Sequence, residues 1–172
     1  MRLFGTDGIR GEVGKYPLTA ENILKLAKAA SLVLKKKNSI SRVVINKDTR
    51  LSNYIFEPTL TAGFISMGVN VVLVGPLPTP ALTILSKSLR ADFSVMITAS
   101  HNPFQDNGLK FFSGTGYKIT AEEERKIEDY FFNYDFDNFK IKPSNYGKAV
   151  RLKDAIGRYS EALKQNTFKN LD

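Results

Sequence analysis

Three short and nearly unbroken apolar runs set what this chain can fold into: Arg42-Val43-Val44-Ile45-Asn46, Asn70-Val71-Val72-Leu73-Val74 and Phe93-Ser94-Val95-Met96-Ile97-Thr98. Strands with one wet face alternate apolar and polar residues; runs apolar throughout belong to sheets covered on both faces. Helical patterns separate the runs. Strand-helix-strand-helix-strand order specifies an α/β layer fold with right-handed crossovers. Ligands in such folds bind beyond the carboxyl ends of the strands. Three polar or turn-forming loops occupy that edge: Lys47-Asp48-Thr49-Arg50, Gly75-Pro76-Leu77-Pro78-Thr79-Pro80, and the turn around Ser100.

The helices carry their own signals. Ile23, Leu26, Ala27, Ala30 and Leu34 recur at helical spacing between Ala20 and Lys36, with Thr19 as N-cap. Ser52 to Met67 reads as a helix ended by Gly68, and Pro58 inside it should kink it or split off its first turn. Ala81 to Leu89 is opened by Pro80. Thr120 followed by Glu123 is a capping-box pattern, and Ile127, Tyr130 and Phe131 form that helix's apolar face. Tyr134 to Gly147 has no periodicity and reads as a surface connection before a last helix, about Leu152 to Gln165.

The 172 residues suffice for one domain with a real core and the start of another. No apolar run approaches the roughly 20 residues that span a membrane. Met1 leads into Arg2-Leu3-Phe4-Gly5 without a signal-peptide core, and cysteine is absent, so thiolate metal sites and disulfides are excluded and a cytoplasmic protein is expected. The net charge of +8 suits phosphorylated ligands, nucleic acid or acidic lipid. The lysines are scattered, however. Lys35-Lys36-Lys37 closes a helix, where cations complement the dipole. With no aromatic-basic signature, neither nucleic acid nor a membrane is an expected partner.

The chemistry concentrates in Thr98-Ala99-Ser100-His101-Asn102-Pro103 and Asn107-Gly108-Leu109-Lys110. One hydroxyl sits in a tight polar turn directly after an apolar run, and an ammonium follows ten positions later. Ser100 suits a phosphoryl carrier, because a phosphoserine needs converging N–H donors and a cation around it. The same residues also suit an ordinary strand-ending turn. His101 either bonds a phosphate oxygen or ties its own turn. As the neighbour of Ser100 in an extended segment it would point away and could not serve as its base. Lys110 lies in a short strand whose alternation sends Leu109 and Phe111 to one face and Lys110 and Phe112 to the other. It is either an exposed strand lysine or a partly buried donor near phosphate. In Phe4-Gly5-Thr6-Asp7-Gly8-Ile9-Arg10-Gly11 the glycines allow close approach to an anion and Arg10 offers a planar fork. Asp48 and Arg50 read as a pair that ties their own loop.

Together these segments, in this order, resemble the α-D-phosphohexomutase superfamily. The resemblance covers essentially the whole chain. The FGTDGIRG opening and Asp106-Asn107-Gly108-Leu109-Lys110-Phe111-Phe112 are most similar to the bacterial branch acting on glucosamine phosphate, with the mannose and glucose branches next. The resemblance implies a three-layer αβα domain with a mostly parallel sheet over residues 1–150, and a linker helix at 151–172 leading toward a second domain. It implies that Ser100 is the catalytic phosphoserine, that its phosphate helps hold Mg²⁺, and that Arg10 and Lys110 flank the transferring phosphoryl group. Lys110 would be the general acid or base, with His101 and Asn102 as substrate or phosphate contacts. The implied reaction interconverts glucosamine 6-phosphate and glucosamine 1-phosphate through a bisphosphate intermediate.

Two departures stand out. Asn53 replaces the glycine usual after Ser52, a position where asparagine tolerates unusual backbone angles. The family's later segments, with the metal-binding aspartates and the sugar- and phosphate-binding loops, have no counterpart in these residues. The chain alone is therefore expected to be inactive as a mutase, and apolar surface left bare would favour a homo-oligomer.

Overall fold

The computed structural model describes residues 2–36 and 40–166. Each apolar run is a strand. β2 (Ser41–Lys47), β3 (Val69–Pro76) and β4 (Phe93–Ile97) form the centre of a six-stranded sheet, joined by β1 (Ile9–Glu12), β5 (Asp106–Ser113) and β6 (Ala149–Arg151). The strand order is β1-β5-β4-β2-β3-β6. β2 pairs parallel with β3 and β4, and β3 pairs parallel with β6. β5 runs antiparallel to both β4 and β1, so the sheet is mixed, with a parallel centre.

Alternate residues of the central strands feed two cores. Val43, Ile45, Val71, Phe93, Val95 and Ile97 pack with α1 (Ala20–Leu34), α2 (Asn53–Ser66) and α4 (Ala121–Asn133). Val44, Val72, Val74 and Met96 face the other way, onto α3 (Thr79–Ser88) and the start of α5 (Ala155–Asn166). This is the three-layer αβα arrangement, and burial on both faces is why the runs show no polar alternation.

Local signals mostly hold. Thr19 Oγ1 accepts the Asn22 N–H at 3.3 Å, and Thr120 with Glu123 forms the reciprocal capping box. α1 ends at Leu34, short of Lys36. Lys35 instead reaches the Met67 carbonyl at 3.3 Å, and Lys36 pairs with Asp92 at 2.8 Å, so neither stands in the helix's last turn; Lys37 lies outside the described residues. Of the kink or split expected at Pro58, the split does not occur: α2 is continuous through the proline. The proline is exposed, while Phe56, Leu60 and Phe64 on the opposite face hold the helix to the core. Within Tyr134 to Gly147, Phe136 is buried in the larger core and Pro143–Asn145 is a turn of 3-10 helix, so the segment is more than a surface link. β6 straddles position 150, and α5 packs on α3.

Gly108 marks where the edge of the sheet meets the site. A Cβ there would lie 2.8 Å from the carbonyl oxygens of Ile9 and Thr98 and 2.9 Å from Arg10 Cγ. Backbone on both neighbouring strands would have to move. Gly108→Ala is expected to cost about 3 kcal/mol, read as a melting temperature lower by roughly 8 °C.

Candidate functional site

The three loops predicted for one edge do meet there. Parallel pairing sends β2, β3 and β4 out of the sheet on the same side, and two backbone hydrogen bonds stitch their exits: Asp48 N–H to Ile97 O at 3.1 Å, and Leu77 N–H to Lys47 O at 3.2 Å. Asn46, buried at the end of β2, donates to Leu77 O at 3.0 Å. A cleft of about 390 Å³ opens between them, lined by Asp48, Thr49, Leu77, Thr79, Met96 and Thr98 among others.

Ser100 stands at the tip of the third loop, exposed, with φ +58°. That left-handed conformation costs a non-glycine residue about 1–2 kcal/mol and persists only where its surroundings impose it. Arg50 imposes it. Its side chain is only 12% accessible, and all five of its N–H groups are used. Nε donates to Asp48 Oδ2 at 3.0 Å, Nη1 to the carbonyls of Pro103 and Asp106 at 2.6 and 2.9 Å, and Nη2 to those of Ser100 and Asn102 at 3.0 and 2.8 Å. One guanidinium thus gathers four carbonyls of the Ser100 loop. The sequence shows the Asp48–Arg50 pair but not the clamp, because the carbonyls of Ser100, Asn102, Pro103 and Asp106 converge only once the loop has folded.

Asp48 is the clamp's anchor. Besides Arg50 it accepts from Thr98 Oγ1 at 2.7 Å and from Asn53 Nδ2 at 2.8 Å, and Thr98 Oγ1 in turn accepts the Ser100 N–H at 3.0 Å. Burial pushes the Asp48 carboxyl up, but the hydrogen bonds from the Arg50 N–H, Thr98, Asn53 and the Arg50 side chain outweigh it and hold it below its usual value. A depressed folded-state pKa stabilises the fold above the unfolded value and loses that contribution as pH falls through the folded one. The Ser100 loop is therefore expected to loosen first on acidification from about pH 4 downward, with amide exchange at Ser100 and Asn102 rising before the core strands. Asp48→Asn should remove that acid-dependent step.

Asn53 does not use unusual backbone angles, as its place in the sequence suggested; it is the first residue of α2 and lies buried. Its side chain explains it. Asn53 bridges Asp48 to Asn107, whose Nδ2 donates to Ser52 Oγ at 2.7 Å and to Asn53 Oδ1 at 2.9 Å. This fixes the loop's far end to the start of α2.

The remaining expected site residues fall around the loop. Arg10, on β1, donates from Nη1 to Asn102 Oδ1 at 3.4 Å, and Asn102 also donates to Asp106 at 2.9 Å. Lys110, on β5, is 16% accessible in its side chain and shares the carboxylate of Asp7 with Arg10. Leu109 and Phe111 are buried on the opposite face, as the alternation predicted. No hydrogen bond joins Ser100 Oγ directly to Arg10 or Lys110 among the described residues; Arg10 reaches the Ser100 loop at Asn102, and Lys110 meets Arg10 at Asp7. His101 is exposed, and its Nδ1 lies 3.4 Å from Ser100 Oγ. The two neighbours do approach, contrary to expectation, because the left-handed turn at Ser100 breaks the extended geometry. The contact is long for a hydrogen bond to a hydroxyl, and no carboxylate bonds the far side of the ring among the described residues.

A divalent cation finds few ligands here. Among the described residues no three His, Cys, Asp or Glu side chains cluster in reach of one ion. The nearby carboxylates of Asp7, Asp48 and Asp106 are each engaged by side-chain donors. These residues alone do not make a metal site.

Residues 1–138 match the family model described as phosphoglucomutase/phosphomannomutase, alpha/beta/alpha domain I. The chain is 49% identical over 171 residues to the phosphoglucosamine mutase of Geobacter metallireducens, covering 99% of this chain and 38% of that protein. It is 52% identical over 167 residues to that of Lawsonia intracellularis. A solved phosphoglucomutase/phosphomannomutase family protein from Burkholderia thailandensis superposes with a TM-score of 0.78 at 26% identity, over 95% of this chain and 35% of that one. The chain thus spans little more than a third of the relatives it matches. With the sheet order, the strand-end site and these matches in agreement, the chain belongs to the phosphoglucomutase/phosphomannomutase family and carries its alpha/beta/alpha domain I.

Proposed function

We propose that this chain is the phosphoryl-carrying domain of a phosphoglucosamine mutase, with Ser100 as the carrier. The observation that supports this most is the Ser100 loop: an exposed hydroxyl held in a strained turn by Arg50, at the strand-end edge, in a loop that Arg10 contacts at Asn102 while sharing Asp7 with Lys110. A loop with no task would relax that turn. In the proposed reaction a sugar hydroxyl attacks the phosphorus of phosphoserine. The P–Oγ bond breaks, the new P–O bond leaves a bisphosphate, and the second phosphate then returns to Ser100. Arg10 binds the phosphoryl oxygens, Lys110 takes or gives the hydroxyl proton, and His101 and Asn102 contact phosphate.

Members of this family depend on a metal ion. We propose Mg²⁺, held in this chain through one phosphate oxygen of Ser100, with its other ligands supplied from outside these residues; it would offset phosphoryl charge. Residues 1–150 would form the phosphoserine domain and 151–172 the lead toward the next. The substrate would be a phosphorylated hexosamine in the cytoplasm, with neither nucleic acid nor membrane as partner, and among the described residues no helix is long and apolar enough to cross a membrane.

The substrate assignment is tested by kcat/KM of the protein at the full length of its relatives. Glucosamine 6-phosphate is expected to exceed mannose 6-phosphate and glucose 6-phosphate by at least about 100-fold, whereas a preference for either of the latter would overturn it. The 172-residue chain alone is expected to show no turnover.

A further inference from the structure

The opening turn places a carboxylate where the site's two cations converge. Gly5 N–H bonds Gly8 O at 2.8 Å and closes the turn, with Asp7 at its tip. Asp7 Oδ2 accepts from Lys110 Nζ at 2.9 Å and from Arg10 Nη2. The turn is seated directly on β5: at Gly8, with φ +86°, an added Cβ would lie 2.4 Å from Leu109 O and 3.2 Å from Lys110 Cγ. Arg10 spans from Asp7 to Asn102 on the Ser100 loop, and its buried Nε–H has no partner.

The exposure of these groups is uneven. Arg10 and Lys110 are 22% and 16% accessible in their side chains, but Asp7 is 56% accessible. The two cations are fixed by the sheet, while the anion that joins them is open to solvent. A purely structural ion pair gains little from that placement. A phosphoryl group offers three acceptor oxygens and nearly twice the charge, so it competes well against one carboxylate oxygen for the same two donors.

We propose that Asp7 is an internal counter-anion: its carboxylate holds Arg10 and Lys110 in position while no phosphoryl group is present, and releases them when one arrives. The source of that phosphoryl group rests on the role proposed for Ser100; the exchange itself involves only Asp7, Arg10 and Lys110. Lys118, which donates to Thr6 O at 3.0 Å and pairs with Glu124, adds positive charge beside the turn.

The test uses the 172-residue chain with inorganic phosphate at low salt. Asp7 titrates below its usual range, chiefly through the Lys110 hydrogen bond. Its ¹³C carboxyl titration should move back up toward the ordinary value when phosphate saturates the site. Asp7→Asn should bind phosphate about fivefold more tightly than wild type. Glu12→Gln, which removes an equal charge from the ion pair with Lys15, should change affinity by less than about twofold. Both results should persist in Ser100→Ala, which separates this inference from the role given to Ser100. An Asp7 titration unmoved by phosphate, or Asp7→Asn binding no tighter than Glu12→Gln, overturns the proposal; weaker binding by Asp7→Asn would make Asp7 a holder of the cations and not their competitor.

Discussion

Arg50→Ala is expected to lower the melting temperature by about 10 °C, a loss of roughly 3–4 kcal/mol. The estimate follows from what the guanidinium holds. Four carbonyls of the Ser100 loop lose the Arg50 donors at once, and Asp48, though it keeps the hydrogen bonds from Thr98 and Asn53, is left partly buried without its cationic partner. Arg50→Lys keeps the charge but not the planar fork, so it should recover less than half of the loss. The damage should also be local first, with amide protection falling at residues 100–106 before the central strands. A variant that melts with wild type and keeps that protection would show that the clamp contributes nothing.

Ser100→Ala is expected to abolish phosphoryl transfer in the full-length protein, with turnover down by about 10⁴-fold or more, because no other hydroxyl in the loop can carry the group. The fold should be unaffected, since Ser100 is exposed. A second substitution separates strain from chemistry. Glycine adopts φ +58° without penalty, so Ser100→Gly should be more stable than Ser100→Ala by about 0.5–1 kcal/mol while being equally inactive. Equal stability of the two would mean that the turn is not strained.

The strand-helix alternation was legible because the physical cause is local: residues buried on both faces leave unbroken apolar runs at 42–46, 70–74 and 93–98. Caps at Thr19 and Thr120 were legible for the same reason. β1 and β6 were not. Ile9–Glu12 is a glycine-bearing strand at one edge of the sheet, and Ala149–Arg151 is an exposed one at the other, so neither carries an apolar run. At the site, Ser100, Arg10 and Lys110 stood out by residue type. Arg50 and Asp7 did not, because their importance lies in partners 50 and 103 positions away. Asn53 was read as a backbone device when its role is to hydrogen-bond Asp48 and Asn107. Long-range polar networks of this kind leave no periodic trace.

A hydroxyl that carries phosphate in turn must be found carrying it. Mapping of phosphorylation sites by mass spectrometry, on the full-length protein incubated with a hexosamine 1,6-bisphosphate, tests this most directly. One phosphate on Ser100, absent from Ser100→Ala and removed on exposure to the hexosamine 6-phosphate, is the predicted result. An unmodified Ser100, or a phosphate that remains in Ser100→Ala, would contradict it.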